Sequence, residues 1–145
     1  CTLRLVSELL CNTKVVQATN CHWGIGLSGL YEHQSAGAIY GILKLLQANP
    51  SLITDQNVNV IKKIKILAYE PAFGIIGDPA KKDPKTRQSA DHSMAYIIST
   101  VLRKALEIGT AEWEKVMLSP YDYSSEAVYH PTTRKFMVRV LNMRT

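Results

Sequence analysis

Cysteine is scarce in this 145-residue chain and confined to one end, with Cys1, Cys11 and Cys21 at intervals of ten. An odd count at that spacing is neither a CxxC-type metal site nor a closed disulfide framework, and it fits a reducing compartment best. Long apolar runs are missing too: nothing approaches the ~20 residues a helix needs to cross a bilayer, so no membrane partner is expected. The first residues lack the basic start and continuous apolar core of a secretory leader. There is no Gly-rich phosphate loop, no HExxH and no GxSxG. Gly24-x-Gly26 lacks the strand–turn–helix setting that would give it meaning. Neither a metal nor a cofactor is therefore expected.

What is present is ordinary globular material, 46% hydrophobic and 20% charged, enough for one domain with a real core. Seventeen Lys and Arg against twelve Asp and Glu give a net charge of +5, which suits anionic partners. The basic residues lie in Lys62-Lys63-x-Lys65, in the Lys81 to Arg87 loop, in Arg103-Lys104 and in Arg134-Lys135. None of these groups is interleaved with aromatics, and no zinc-finger or RNP-type motif appears, so they read as solvated lysines and not as a nucleic-acid surface. A chain opening on Cys1 and not on Met reads as a piece of a longer protein.

Hydrophobic periodicity divides the chain into an α+β sequence. Leu3, Leu5, Val6, Leu9 and Leu10 suggest a short amphipathic helix, and Thr13 to Ala18 a short strand. A helix capped by Ser35 runs to Ala48, where Asn49-Pro50 stops it. Its only polar stripe is Tyr40, Lys44 and Gln47, so most of its circumference should be buried. Gly37 and Gly41 cost roughly 1 kcal/mol each in helix propensity, which implies close packing in return. Asn57 to Tyr69 is the clearest strand, with Ile64, Ile66 and Ala68 alternating with Lys63, Lys65 and Leu67. The strongest helix starts near Met94: Met94, Ile97, Ile98, Val101, Leu102, Ala105 and Ile108 recur at the period of one buried face, and Gly109 ends it. Thr110 caps a short helix carrying Trp113, Val116 and Met117. Tyr121-Asp122-Tyr123 is a turn, and His130-Pro131 opens a last helix with Phe136, Met137, Val140 and Leu141 on one side.

The chemistry-bearing residues gather at helix starts. With Ser89 as N-cap, Asp91 and His92 fall in the first turn of the Met94 helix, beside backbone N–H groups that have no partner within the helix. The dipole there works against a positive charge and suits a neutral imidazole acting as hydrogen-bonding group or base. His33 precedes the Ser35 helix in the same way. The loop holding Lys81, Lys82, Lys85 and Arg87 adds cations next to a helix start, a setting that favours a carboxylate.

Three long segments then resemble the MmgE/PrpD family, and within it the 2-methylcitrate dehydratases. They are Leu30-Tyr-Glu-His33-Gln34-Ser-Ala-Gly-Ala-Ile39, Ala68-Tyr-Glu-Pro-Ala-Phe-Gly-Ile-Ile-Gly-Asp-Pro79 and Thr86-Arg-Gln-Ser-Ala-Asp91-His92-Ser93-Met94. Leu118 to Tyr123 and His130 to Arg134 continue the likeness in order. Residues 30–145 are thereby expected to form the family's C-terminal lid domain, an α+β unit with a small antiparallel sheet packed with helices; residues 1–29 match poorly.

The resemblance implies elimination of water from 2-methylcitrate to give 2-methylaconitate in propionate catabolism, without the iron–sulfur cluster of aconitases. It implies a tricarboxylate substrate, a site shared with a separate helical domain of the same family, and a homodimer in the full-length enzyme. The compartment would be the mitochondrial matrix in a eukaryote or the cytoplasm in a bacterium. His33, His92 and Asp91 become the catalytic candidates, and Gln34, Ser93, Lys81, Lys85 and Arg87 the substrate-binding ones. One departure stands out. Family members carry a Phe-Lys pair shortly before the His33 motif, where this chain has Gly26-Leu27-Ser28-Gly29 and no lysine nearer than Lys14. Other activities of the family, cis-aconitate decarboxylation or epimerisation of a small dicarboxylate, and a non-catalytic binding or assembly module, are the competing expectations.

Overall fold

A computed structural model describes residues 2–9, 12–19, 36–48, 50, 53, 61–68 and 82–144. Four strands build one sheet: β1 (Thr2–Leu9), β2 (Asn12–Thr19), β3 (Ile61–Ala68) and β4 (Val140–Arg144), in the order β2-β1-β3-β4. β1 lies antiparallel to both neighbours, with Leu5 opposite Val16 on one side and Ile66 on the other. The helix expected over Leu3 to Leu10 is therefore corrected to a strand. So short a segment is a marginal helix in water, and a ladder on each side satisfies its backbone better.

β4 runs parallel to β3, pairing Ile64 with Val140 and Ala68 with Arg144. This overturns the expected small antiparallel sheet: the sheet is mixed, and in the longest continuously described stretch, 82–144, everything before β4 is helix and turn without a strand. The expected continuation of the last helix through Val140 and Leu141 is corrected with it. Arg139 turns the chain into β4 by donating from its guanidinium to the Ile61 carbonyl at 2.8 Å, while the Ile64 N–H donates to the Arg139 carbonyl at 2.9 Å.

The alternation expected of β3 holds at Ile64 and Ile66, both buried. Ile61 is buried as well, although it is out of phase with them in a strict two-residue period. The pairing with β1 shifts between Glu8 and Leu9, so that Lys63 faces Glu8 and Ile61 faces Leu9. One residue is skipped, as in a β-bulge, and the phase of the strand reverses there.

Among the described residues the helices are α1 (Ala36–Ala48), α2 (Arg87–Asp91), α3 (Met94–Ile108), α4 (Trp113–Val116), α5 (Ser125–Val128) and α6 (Pro131–Met137), with a 3-10 turn at Pro120–Tyr123. α1 packs on β1, β2 and α3, and leaves Tyr40, Lys44 and Gln47 exposed, as its stripe implied. Ala38, Ile39, Ile42 and Leu46 of α1 are each at most 1% exposed. Burying Ile39, Ile42 and Leu46 stabilises by roughly 1.5–3 kcal/mol apiece, far more than the helix propensity lost at Gly37 and Gly41.

α3 is the axis of the helical body and contacts α1, α2, α4, α6 and β4. Every residue from Met94 to Arg103 is buried, so this helix has no solvent face along its first ten positions. The expected stripe is buried from Met94 to Ala105, burial extends beyond it to the other faces, and only Ile108, counted in it, departs at 49% exposed. The helix ends on Gly109, whose φ of +84° is left-handed and whose N–H donates to the Ala105 carbonyl at 2.8 Å. A Cβ added there would meet nothing within 4 Å. Gly109→Ala should therefore cost about 1–2 kcal/mol through backbone conformation alone, measured as a shift in urea midpoint at unchanged slope. An unshifted midpoint would mean that the cap gives no advantage to glycine.

The caps differ from the expectation in detail. Thr110 accepts from the Glu112 N–H at 3.3 Å but does not cap α4, whose N-cap is Glu112 without a side-chain bond. His130 does open α6: its Nδ1 accepts from the Thr132 N–H at 3.2 Å.

Candidate functional site

The Thr86–Met94 segment is two helix starts in succession. Thr86 caps α2, its hydroxyl accepting from the Ser89 N–H at 3.1 Å while the Ser89 hydroxyl accepts from the Thr86 N–H at 3.0 Å, a reciprocal capping box. Ser93 caps α3 by accepting from the Tyr96 N–H at 3.2 Å. The expected role of Ser89 as cap of the Met94 helix thus passes to Ser93. Asp91 is the last residue of α2 and His92 its C-cap, so both sit in the joint between two helices and not in the first turn of the longer one.

This joint sorts the candidate residues. His92 is exposed and Asp91 half-buried, adjacent at the surface of the α2–α3 corner. Ser93 is 0% exposed and its hydroxyl is committed to the cap, so it is removed from the substrate-binding set. Arg87 and Lys85 are exposed on the same short stretch, with Lys85 Nζ 4.0 Å from the Asp83 carboxylate. Both are exposed at that pair, so the attraction is worth little and leaves the ammonium available to an anion. His33, Gln34 and Lys81 lie outside the described residues.

The segment is held from two directions. Ahead of α2, Arg134 of α6 donates from Nη2 to the Pro84 carbonyl at 2.5 Å and from Nη1 to the Asp83 carboxylate, while its Nε donates to the Val128 carbonyl at 2.9 Å. Behind it, the buried Tyr96 phenol donates to the main-chain carbonyl of Asp122. The Tyr96 and Tyr123 rings pack tilted, centroids 6.1 Å apart. Burial pushes both phenols above the ordinary tyrosine range, and for Tyr123 the Asp91 carboxylate adds to the push. Asp91 therefore faces the Tyr123 side electrostatically, and α2 packs against the 3-10 turn and α5.

Sequence reasoning missed one cluster altogether. Arg103 and Lys104, expected among solvated lysines, converge on the buried Asp122 carboxylate. Lys104 Nζ lies 2.9 Å from Oδ2 and Arg103 Nη2 lies 3.8 Å from Oδ1. The Ser119 N–H donates to Oδ2 at 2.7 Å, and the Ser119 hydroxyl lies 3.2 Å from it. Arg103 also donates to the Thr133 hydroxyl at 2.8 Å and to Glu107 at 3.0 Å, and Lys104 to the Met117 carbonyl at 2.7 Å. These cations are committed to structure and do not contribute to an anion-binding face. In the sequence they fall with Ser99, Thr100 and Glu107 on the polar side of the helix, which reads as a solvated face and hides their burial.

Among the described residues no three His, Cys, Asp or Glu gather as a metal site, and no helix is long and apolar enough to cross a membrane. No family model, curated protein or solved structure matches the chain.

Proposed function

We propose that this chain is part of a hydro-lyase of the 2-methylcitrate dehydratase type, with His92 as a substrate-facing acid/base or hydrogen-bonding residue and Asp91 orienting the turn that carries it. The motif likeness of Thr86 to Met94 is the main support. The observation that carries the reading is that this motif folds into a doubly capped corner with His92 exposed, Asp91 beside it, and Arg87 and Lys85 on the same surface stretch.

Elimination of water from a 2-hydroxytricarboxylate requires that the C–H bond next to a carboxylate lose its proton to a base, that the electron pair form the C=C bond, and that the departing hydroxyl leave as water after receiving a proton from an acid. Cations must hold the three carboxylates while charge develops. His92 suits one of the two proton-transfer roles, His33 the other, and Arg87, Lys85 and Lys81 the carboxylates. A helical domain of the same family would supply the rest of the set, in a homodimer of the full-length enzyme. Cis-aconitate decarboxylation and dicarboxylate epimerisation draw on the same groups. A non-catalytic binding or assembly module is the second reading, and Gly26-Leu27-Ser28-Gly29, where the family carries its lysine, favours it.

The test is turnover of synthetic 2-methylcitrate, followed by absorbance of the unsaturated product, for this chain alone and mixed with a family helical domain. Turnover in the mixture should fall by on the order of 10² in His92→Ala protein that unfolds like the wild type. Retained turnover in that variant removes His92 from the reaction. No turnover in any mixture, with anion binding intact, establishes the binding module instead.

A further inference from the structure

The sheet ends on β2 at one side and on β4 at the other, and the two edges differ. β2 carries Lys14 within its length, and a lysine on an edge strand opposes pairing with another chain. β4 reads Val-Leu-Asn-Met-Arg, with its one charge at the last position. Its main contacts are with β3 and α3, and among the described residues no strand lies beyond it. Val138, 75% exposed, stands two positions ahead of β4, so solvent reaches the chain where that edge begins. The pairing with β3 decides which main-chain groups face outward. The Ile64 N–H donates to the Arg139 carbonyl, and Ile64, Ile66 and Ala68 lie opposite Val140, Asn142 and Arg144. In a parallel ladder of this phase, the N–H and C=O groups of Leu141 and Met143 turn towards β3, and those of Val140, Asn142 and Arg144 turn away from it.

We propose that the outer edge of β4 is an interface between two copies of this chain, paired antiparallel about Asn142 so that two four-stranded sheets become one. In that register Asn142 faces its own copy and Val140 faces Arg144, so every outward residue of the strand meets another and exchanges both main-chain hydrogen bonds with it. Charge selects this arrangement. The two Arg144 residues fall four positions apart along the strands, ~14 Å, beyond the ~8 Å over which exposed charges interact at physiological ionic strength. A parallel pairing would set Arg144 beside its copy. Pairing β4 with β2 of a second copy would place Lys14 in the junction and leave an edge free at each step, building an open array. The two-fold pairing closes on itself. It rests on the sheet and not on the hydro-lyase reading, and either can fail without the other.

Sedimentation velocity of the chain over a concentration series should show monomer giving way to dimer. Asn142→Lys sets two ammonium groups opposite each other on the two-fold axis and should weaken the dimer by about tenfold or more. Asn142→Pro removes an outward N–H and none that faces β3, a change an edge strand tolerates, and should abolish the dimer. Gln17→Lys adds the same charge to the β2 edge and should leave the dimer as it was. Amide exchange supplies a signature that a different contact surface would not give: Leu141 and Met143 protected at every concentration, Asn142 and Arg144 protected only where the dimer forms. A chain that stays monomeric throughout overturns the proposal, as does a dimer indifferent to Asn142→Lys or one dispersed by Gln17→Lys. Should Asn142→Pro fail to fold, Asn142→Lys and the exchange pattern decide.

Discussion

Asp122→Ala should destabilise the chain by about 3–5 kcal/mol, the range for breaking a buried ion pair by deleting one partner. The side chain of Asp122 is only 4% exposed, and its cationic neighbours Arg103 and Lys104 are 7% and 16% exposed. Alanine would leave both cations in a site with little water, and the Ser119 N–H without its acceptor. Arg103 would keep Thr133 and Glu107, and Lys104 the Met117 carbonyl, but those acceptors supply one formal charge between them, on the half-exposed Glu107. The loss should appear as a lower urea midpoint with an unchanged slope, and as a fall of about 10 °C in thermal midpoint for a chain of this length. Asp122→Asn, which preserves shape and an acceptor oxygen, should lose less. If the alanine variant loses under 1 kcal/mol, water reaches the cluster and its burial is only nominal.

The second large effect is alkaline instability. Tyr96 and Tyr123 are 1% and 2% exposed, and burial raises both phenols above their unfolded value of about 10. For a group whose native value is raised, the stabilisation is fully present below the unfolded value and is lost as pH climbs from there towards the native one. From pH 10 upward, Tyr123 ionises in the unfolded chain while staying neutral in the fold and removes up to about 1.4 kcal/mol per pH unit, and Tyr96, raised in the same direction by burial, adds to the loss. Urea titrations at stepped pH, with tyrosinate absorbance as the second probe, should show stability flat below pH 9 and falling steeply above 10. Tyr123→Phe should make the fall visibly shallower. A slope unaltered by that substitution would remove Tyr123 as its cause.

Local period and cap chemistry made α1, β3 and the Gly109 end of α3 readable, because each is decided by neighbours within a few positions. The turn at Tyr121 to Tyr123 and the start of α6 at His130 were readable for the same reason. Where the reading failed, a distant partner decided the outcome. Leu3 to Leu9 has a pattern that suits either period, and its place between β2 and β3 settled it. Phe136, Met137 and Val140 share a helical spacing, yet the chain leaves the helix at Val138, 75% exposed, because Val140 pairs with Ile64. At the candidate site, Asp91 and His92 were found by cap reasoning that assigned the cap four residues too early. The distinction matters chemically: Ser93 is consumed by the cap, and the histidine belongs to a corner. Ser119 and Asp122 share the local spacing of a capping box, but the cations at 103 and 104 and the hydroxyl at 133 reach that cluster only through the fold, so it was illegible as a whole.

The parallel pairing of β3 with β4 places α2 to α6 between two hydrogen-bonded neighbours. No hairpin can bring those strands together, so the ladder between them closes only after the intervening helices have brought Arg139 back to Ile61. Contacts this far apart in sequence form slowly. During synthesis β3 emerges long before its partner and carries one unpaired edge for that whole interval, a template for association with other chains. The time spent in that state is governed by how fast the body around α3 assembles, so substitutions in the helices should change aggregation of the nascent chain even where they leave the finished sheet untouched.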